Sequence, residues 1–502
     1  MQLSAERLEA GLVGLWSDCR LALEGVSLPD PIRLVLDSRR VVEGDIFVAV
    51  PGVEVDGRDF IAQALAAGAS LVLAHYDGTP GPDGDRVLWL AGLREAQGEL
   101  GRVLFGVPRE MELIGVTGTN GKSSVTHYLA ELSHALGVDA GLVGTLGHGR
   151  PRALTAGSLT TPGPLTLQVA LGELAAEGVQ RVAMEVSSHA LEQGRLDGCS
   201  VQAAVFTNLS RDHLDYHGSM TAYAAAKARL FRRHELELAV VNGDDPLARL
   251  MLAGVHHCVR VLAVGQDEAV TLRVVDWHPH AGGQRALVGT PEGERVLKLA
   301  LMGRFNLDNV LLAIATLHGL GHSLEALFEA AADLTPVPGR MERLSRPGCP
   351  TVVIDYAHTP DALDSALAAL RAHLPGSGRL WCLFGCGGDR DPGKRSLMAA
   401  AAQCHADVLV VTDDNPRSES PAVIREQVLA GLSPEARAAA WNLPGRGEVI
   451  ARVLAEAAPE DVVLIAGKGH ETYQDIQGVR HDFSDRVEAE LALSKRVEED
   501  GR

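Results

Sequence analysis

The chain has 502 residues, of which 46% are hydrophobic and 22% charged, and its 46 Lys and Arg against 65 Asp and Glu give a formal charge of −19. That length is too great for one hydrophobic core and predicts about three domains at ~150 residues each, while the balance of residue types excludes disorder. The acidic excess argues against nucleic-acid binding, which needs clustered Lys and Arg.

The N-terminus lacks a basic-then-apolar leader, and no apolar run approaches the ~20 residues that span a bilayer. A cytoplasmic protein without membrane insertion is therefore expected. Cys19, Cys199, Cys258, Cys349, Cys382, Cys386 and Cys404 are scattered and read as reduced thiols. His256, His257 and Cys258 lack a second ligand pair at zinc spacing.

Three strand–helix alternating blocks follow in chain order. In the first, residues 1–107, the apolar runs predict strands at 32–36, 45–50 and 70–74 and a helix at 60–67. The second, 108–340, opens with a strand at 113–117, a Gly-rich turn and a helix from about Lys122. Val125, Tyr128, Leu129, Leu132 and Leu136 share one helical face, and Gly137 is a C-terminal stop. Further strands are expected at 181–186, 203–207 and 239–242. The third, 341–502, carries strands at 351–355, 380–384, 408–412 and 462–466 and a helix at 360–373. The alternation predicts an α/β fold, with each domain a mostly parallel sheet flanked by helices. Ligands in such sheets bind at the carboxyl ends of strands, and polar clusters follow the strands ending near Thr117, Val186, Phe384 and Thr412.

The most specific cluster is Gly118-Thr119-Asn120-Gly121-Lys122-Ser123-Ser124. Glycines let backbone N–H groups turn toward phosphate oxygens, and the following helix adds its dipole. Lys122 is suited to the β/γ-phosphates and Ser123 to Mg²⁺. Val116 stands where the strict phosphate-loop pattern has Gly.

The loop sequence resembles that of the Mur ligase family. Further matches are Glu185-Val186-Ser187-Ser188-His189, the run Thr207 to His217, Lys227, Gly303-Arg304-Phe305-Asn306, Gly339-Arg340-Met341-Glu342, Asp355 to Pro360 and Gly385 to Arg390. The resemblance covers nearly the whole chain. It implies a central phosphate-loop ATPase domain and a Rossmann-like C-terminal domain, with the three domains binding a UDP-sugar substrate, ATP and an amino acid in that order. The implied reaction uses ATP and Mg²⁺ to convert a D-Glu side-chain carboxylate to an acyl phosphate, which the amino acid's amine displaces.

Residue by residue, the resemblance implies catalytic roles for Lys122, Glu185, His213 and Lys227. Glu185, His213, Ser123 and Lys227, the last as a carbamate, are the implied Mg²⁺ contacts. Asn306, Arg340 and Asp355 join the loop as nucleotide positions; Asp355 equally suits capping of the turn after it. Leu36, Ser38, Thr160, Thr161, Ser187, Gln193 and Arg195 are implied for the substrate UDP-N-acetylmuramoyl-L-Ala-D-Glu. Leu159 replaces an Asn common before the Thr pair.

Asp414-Asn415-Pro416-Arg417 resembles the signature of members that accept meso-diaminopimelate, with Arg390, Gly467 and Glu471 as further contacts. The planar fork of Arg417 can pair with that amino acid's second carboxylate, which lysine lacks. A monomer is expected. Ligases for lysine, ornithine or folate, a small-molecule kinase and a non-catalytic nucleotide switch remain as alternatives.

Overall fold

Short runs of Val, Ile and Leu bounded by Gly, Asp and Asn turns produce strands buried on both faces, the pattern of parallel sheets covered by helices. The computed structural model describes residues 2–19, 28–53, 55–78, 86–157, 159–374 and 376–500. They fall into two compact units. The first comprises residues 1–122, 133–240 and 246–261, and the second 123–132, 241–245 and 262–502.

In the first unit, Gln2–Leu3, Ile32–Val35, Ile46–Ala49, Leu71–Tyr76 and Val87–Ala91 form a five-stranded sheet in that order. Only the Gln2–Leu3 edge is antiparallel. Leu8, Leu12, Leu34, Val48, Leu73, Leu100 and Leu104 fill one side. Phe47, Ile61, Ala64, Val72 and Ala74 fill the other.

The unit's second set of strands runs Val201–Phe206, Glu112–Thr117, Arg181–Glu185 and Ala140–Gly144, all parallel. Two antiparallel strands, Gly147–Arg150 and Ala153–Thr155, continue from Ala140–Gly144. Every residue of Arg181–Glu185 and Ala140–Gly144 is buried.

In the second unit a six-stranded sheet has the order Glu342–Leu344, Thr351–Asp355, Val462–Ala466, Leu380–Phe384, Val408–Val411, Trp441–Asn442. Its first pair is antiparallel and the rest parallel. The helix Arg304–Gly319 is almost wholly buried. A hairpin, Tyr473–Ile476 with Val479–Asp482, stands beside the strand ends.

Thr351–Asp355, Leu380–Phe384, Val462–Ala466 and the helix Pro360–His373 have the bounds expected from sequence. The phosphate-loop helix spans Lys122–Ala135, with Val125, Tyr128, Leu129 and Leu132 at most 1% exposed. Gly137 takes φ +79° just beyond it, where Val138 N–H donates to Ser133 O at 2.9 Å. The longest departure from parallel alternation is a ladder of Leu272–His280, Gly283–Thr290 and Gly293–Leu299, antiparallel throughout. Its polar outer face and a register shift between Val274 and Asp276 interrupt the apolar periodicity that marks the other strands. No helix among the described residues is long and apolar enough to cross a membrane.

Candidate active site

The turn after Glu112–Thr117 is strapped to the segment after the neighbouring strand. Asn120 N–H donates to Asn208 Oδ1 at 3.0 Å, and Asn208 Nδ2 returns a bond to Asn120 O at 3.1 Å. Thr119 N–H donates to Asn208 O at 2.9 Å, and Ser210 N–H to Thr119 Oγ1 at 3.0 Å. Gly118 has φ +153°, and a Cβ there would lie 1.9 Å from Thr207 Oγ1. Glycine is thus required by close approach as well as by conformation. Lys122 Nζ folds back onto its own loop, donating to Gly118 O and Thr119 O, both at 2.9 Å.

Lys227 lies on the helix Met220–Ala228, is 1% exposed and donates to the same Gly118 carbonyl at 2.8 Å. Its nitrogen sits 4.6 Å from the Tyr223 ring centroid. Burial, and then the charge of Lys122, holds the Lys227 ammonium well below the usual lysine range. Burial likewise pushes the Tyr223 phenol up to about 12.

Glu185 ends its strand 2% exposed. Its carboxylate accepts from the Thr145 N–H at 2.8 Å and the Thr145 hydroxyl at 3.2 Å. No cation pairs with it among the described residues. A buried carboxylate held only by neutral donors is costly unless a cation completes it. Gly144 leaves the room, since a Cβ there would lie 2.3 Å from Glu185 Oε1. A hard carboxylate such as Glu185 suits Mg²⁺, which takes one or two carboxylates together with substrate phosphates. His213 is a softer donor. It adopts φ +52°, is half exposed and stands 3.4 Å from Asp212 Oδ2.

A hydroxyl network joins several of the expected substrate residues. Thr160 Oγ1 lies 3.0 Å from Thr145 Oγ1. Thr161 donates to Glu185 O at 2.8 Å and accepts from Ser187 N–H at 3.1 Å. Arg195 donates to Thr161 O at 2.8 Å and through two nitrogens to Gln193 Oε1. The sequence reading missed Thr145, the link between Glu185 and Thr160. It follows the strand Ala140–Gly144, a fifth strand end of the kind already expected to carry ligands. Ser38, 8% exposed, opens a short turn and lies 3.4 Å from Gln63 Oε1, beside the exposed Leu36.

In the second unit Ser123 and Ser124 are buried in the first turn of their helix. The Asn306 amide is engaged at both ends, accepting from Tyr128 at 3.2 Å and donating to Met302 O at 2.8 Å. Asp355 accepts from Met341 N–H at 2.7 Å and Ala357 N–H at 2.8 Å, the turn-capping role. Burial raises its carboxyl above the usual range, against the pull of Arg340. The Arg340 guanidinium lies 4.6 Å from the Tyr356 ring centroid. His470, 5.2 Å from the same ring, is pulled down to about 4 by burial and then by Arg340.

The strand ends beyond Phe384, Val411 and Ala466 bring a last set together. Asp414, Asn415 and Pro416 are buried, and Arg417 is half-buried at φ +50°. Arg417 N–H donates to Asp475 O at 3.0 Å, Gln477 N–H donates to Arg417 O at 2.7 Å, and the guanidinium reaches Gly388 O at 2.6 Å. A Cβ on Gly387 would lie 2.9 Å from that guanidinium. Asn415 Nδ2 donates to Glu471 Oε2 at 2.9 Å. One of its N–H groups is therefore already committed. Gly467 has φ +114°, and its Cβ would stand 3.0 Å from Asp414 Oδ2. Arg390 is exposed, next to Asp389, whose carboxylate takes the Ser418 N–H and hydroxyl.

Comparison with known proteins bears on this arrangement. Residues 33–87 match the model described as Mur ligase family, catalytic domain; 116–317 match the Mur ligase middle domain; and 339–469 match the Mur ligase, glutamate ligase domain. A relative from Ectopseudomonas mendocina, named UDP-N-acetylmuramoyl-L-alanyl-D-glutamate--2,6-diaminopimelate ligase, is 48% identical over 92% of this chain and 95% of its own. One of the same name from Pseudomonas aeruginosa is also 48% identical, over the same shares. A solved structure with that name is 38% identical, covers 93% of this chain and 95% of its own, and has a TM-score of 0.68. The fold of a MurF ligase from Thermotoga maritima in complex with ADP is similar, at 20% identity and a TM-score of 0.61, covering 93% of this chain and 98% of its own. Matched in order by all three domain models and at 48% identity by relatives along most of its length, the chain belongs to the Mur ligase family.

Proposed function

We propose that this chain is an ATP-dependent ligase that joins meso-diaminopimelate to the D-Glu side-chain carboxylate of UDP-N-acetylmuramoyl-L-Ala-D-Glu in peptidoglycan synthesis. The observation that carries the reading is the 48% identity, over 92% of the chain, to relatives named for that reaction. The Asp414–Arg417 loop together with Glu471 supports it from the geometry, because a guanidinium, an amide and two carboxylates suit a zwitterionic amino acid with an extra carboxylate.

The substrate carboxylate takes the γ-phosphoryl group of ATP, giving ADP and an acyl phosphate. The amine of the amino acid then attacks the acyl carbon. Phosphate leaves with the bonding electrons, and the amine loses a proton. Gly118 to Ser124 suit the nucleotide phosphates, with Lys122 turning from its loop carbonyls to the β/γ oxygens. Glu185, His213 and Ser123 are assigned to Mg²⁺, which when bound offsets the charge of phosphates brought beside a carboxylate. The uncharged amine favoured at Lys227 is the form that combines with CO₂ to a carbamate and releases a proton. That change places an anionic oxygen group where an amine stood.

Asn306, Arg340 and Asp355 are assigned to the nucleotide. Leu36, Ser38, Thr160, Thr161, Ser187, Gln193 and Arg195 are assigned to the UDP-sugar peptide. Arg390, Asp414, Asn415, Pro416, Arg417, Gly467 and Glu471 are assigned to diaminopimelate. The corresponding division is residues 1–107 for the UDP-sugar, 108–340 for ATP and 341–502 for the amino acid.

Mass spectrometry of the product tests the reaction. Incubation with ATP, Mg²⁺, the UDP-dipeptide and meso-diaminopimelate should give the UDP-tripeptide. Recovery of a phosphorylated dipeptide as the sole stable product would replace the ligase reading with a kinase.

A further inference from the structure

Among the described residues, Lys468 is the one ammonium placed among the polar side chains of the Asp414–Glu471 cluster, and no role was expected for it from sequence. Its side chain is 0% exposed. Nζ donates to Asn415 Oδ1 at 3.1 Å and to Glu471 Oε2 at 3.0 Å, and it lies 3.8 Å from Asp414 Oδ1. Asn415 Oδ1 also accepts from Asp475 N–H, at 2.9 Å. With both acceptor sites of that oxygen filled by N–H donors, the amide has one orientation. Its nitrogen points to Glu471 Oε2 and keeps one N–H. Glu471 Oε2 is likewise filled by Lys468 and Asn415, whereas Glu471 Oε1 takes no hydrogen bond from any described residue.

We infer that Lys468 is a positioning residue for the incoming amino acid, orienting the Asn415 amide and the Glu471 carboxylate and cancelling one of the two negative charges at Asp414 and Glu471. The inference rests on the assignment of those residues to diaminopimelate. The Asn415 N–H left over is a donor for a carboxylate, and Glu471 Oε1 is an acceptor for an ammonium. Asp414, Glu471 and Lys468 together carry a single negative charge, which matches one ammonium, and Arg417 is left as the cation for the second carboxylate. Without Lys468 the amide oxygen keeps only the Asp475 N–H, so its orientation is held less firmly, and an oxygen turned outward would repel a substrate carboxylate. The uncancelled carboxylate would also favour cationic lysine over diaminopimelate.

A buried lysine that merely props the fold would lower stability and active fraction alike for all substrates. A positioning lysine shows in the substrate constants. For Lys468→Met, KM for meso-diaminopimelate should rise at least about tenfold. KM for ATP and for the UDP-dipeptide should stay within about twofold. The ratio of kcat/KM for diaminopimelate over lysine should fall at least about tenfold. Should that variant not fold, Lys468→Arg keeps the charge but puts a larger planar fork in the place of a compact ammonium, and the same selective rise in KM is expected. A folded variant with an unchanged KM for diaminopimelate and an unchanged preference over lysine would overturn the inference. The wild-type arm is read separately: if wild type does not use diaminopimelate, the functional reading fails, whereas wild-type use with unaltered variants removes only Lys468.

Discussion

Glu185 and Lys227 are both ionisable groups held out of water, and among the described residues neither has an ion pair. The Glu185 carboxylate accepts from the N–H and hydroxyl of Thr145, and Lys227 meets a carbonyl and the field of Lys122, which outweighs that of Asp212. A cation at the first and conversion to an anion at the second remove both mismatches. Lys227→Ala should therefore lose activity by ~10²-fold or more, the scale of losing one charge-organising group. Short carboxylates added to the assay should restore part of it; near-normal activity without them would exclude the role. Gly144→Ala is a sharper probe of Glu185, because Gly144 has an ordinary φ and the new Cβ meets the carboxylate itself. The account predicts a folded protein whose rate falls and whose Mg²⁺ requirement rises. Gly137→Ala is the control. At φ +79° with open space around it, it should cost about 1–2 kcal/mol of stability and leave the Mg²⁺ requirement alone. Equal Mg²⁺ titrations for wild type and Gly144→Ala would contradict the proposed cation site.

The loop elements at the strand ends are held by ion pairs that lie apart in sequence. Arg395, on the helix Gly393–His405, pairs with Glu419 at 2.8 Å and donates to Gly387 O at 3.2 Å. Glu419 also accepts from Asp389 N–H at 2.6 Å, tying the 387–390 turn to the Arg417 loop. The Arg395 guanidinium pulls the Glu419 carboxyl from its usual 4.5 down to about 2. A depressed folded pKa means that the unfolded chain takes up protons first, so this stabilisation is complete above about pH 4.5 and fades as pH falls toward 2. The urea-midpoint gap between wild type and Glu419→Gln should be constant from pH 7 to 5 and narrow below about 4.5. A gap that widens on acidification would refute the pairing. On the same loop, Arg417→Ala should weaken use of diaminopimelate far more than use of lysine, whereas equal losses would remove Arg417 from specificity.

Legibility differed among elements for physical reasons. The phosphate loop could be read because glycines, lysine and a strand–helix junction are local features. The Asp355 turn cap was legible as the alternative to its nucleotide role, since a carboxylate at a strand end reaches the next backbone N–H groups. Thr145 and Lys468 escaped notice because their meaning arises only when distant strand ends meet, at Glu185 and at Asn415. The antiparallel ladder 272–299 was missed because its exposed face breaks apolar continuity. Asn415 was expected to offer its amide to substrate, but tertiary contacts already engage its oxygen and one N–H.

At the scale of the whole molecule, the order of motifs along the chain says more than any one of them. A nucleotide switch needs the Gly118–Ser124 loop, but not a second polar cluster of Arg417, Asn415 and Glu471 at the strand ends of the six-stranded sheet. A kinase needs the loop and an acceptor site, but no amine site. The measurement that separates these is phosphate release from ATP with UDP-N-acetylmuramoyl-L-Ala-D-Glu, in the absence of amine and then with meso-diaminopimelate, lysine or ornithine. Release should depend on diaminopimelate and fail with the other two. Release with lysine or ornithine instead, or release indifferent to any amine, would contradict it.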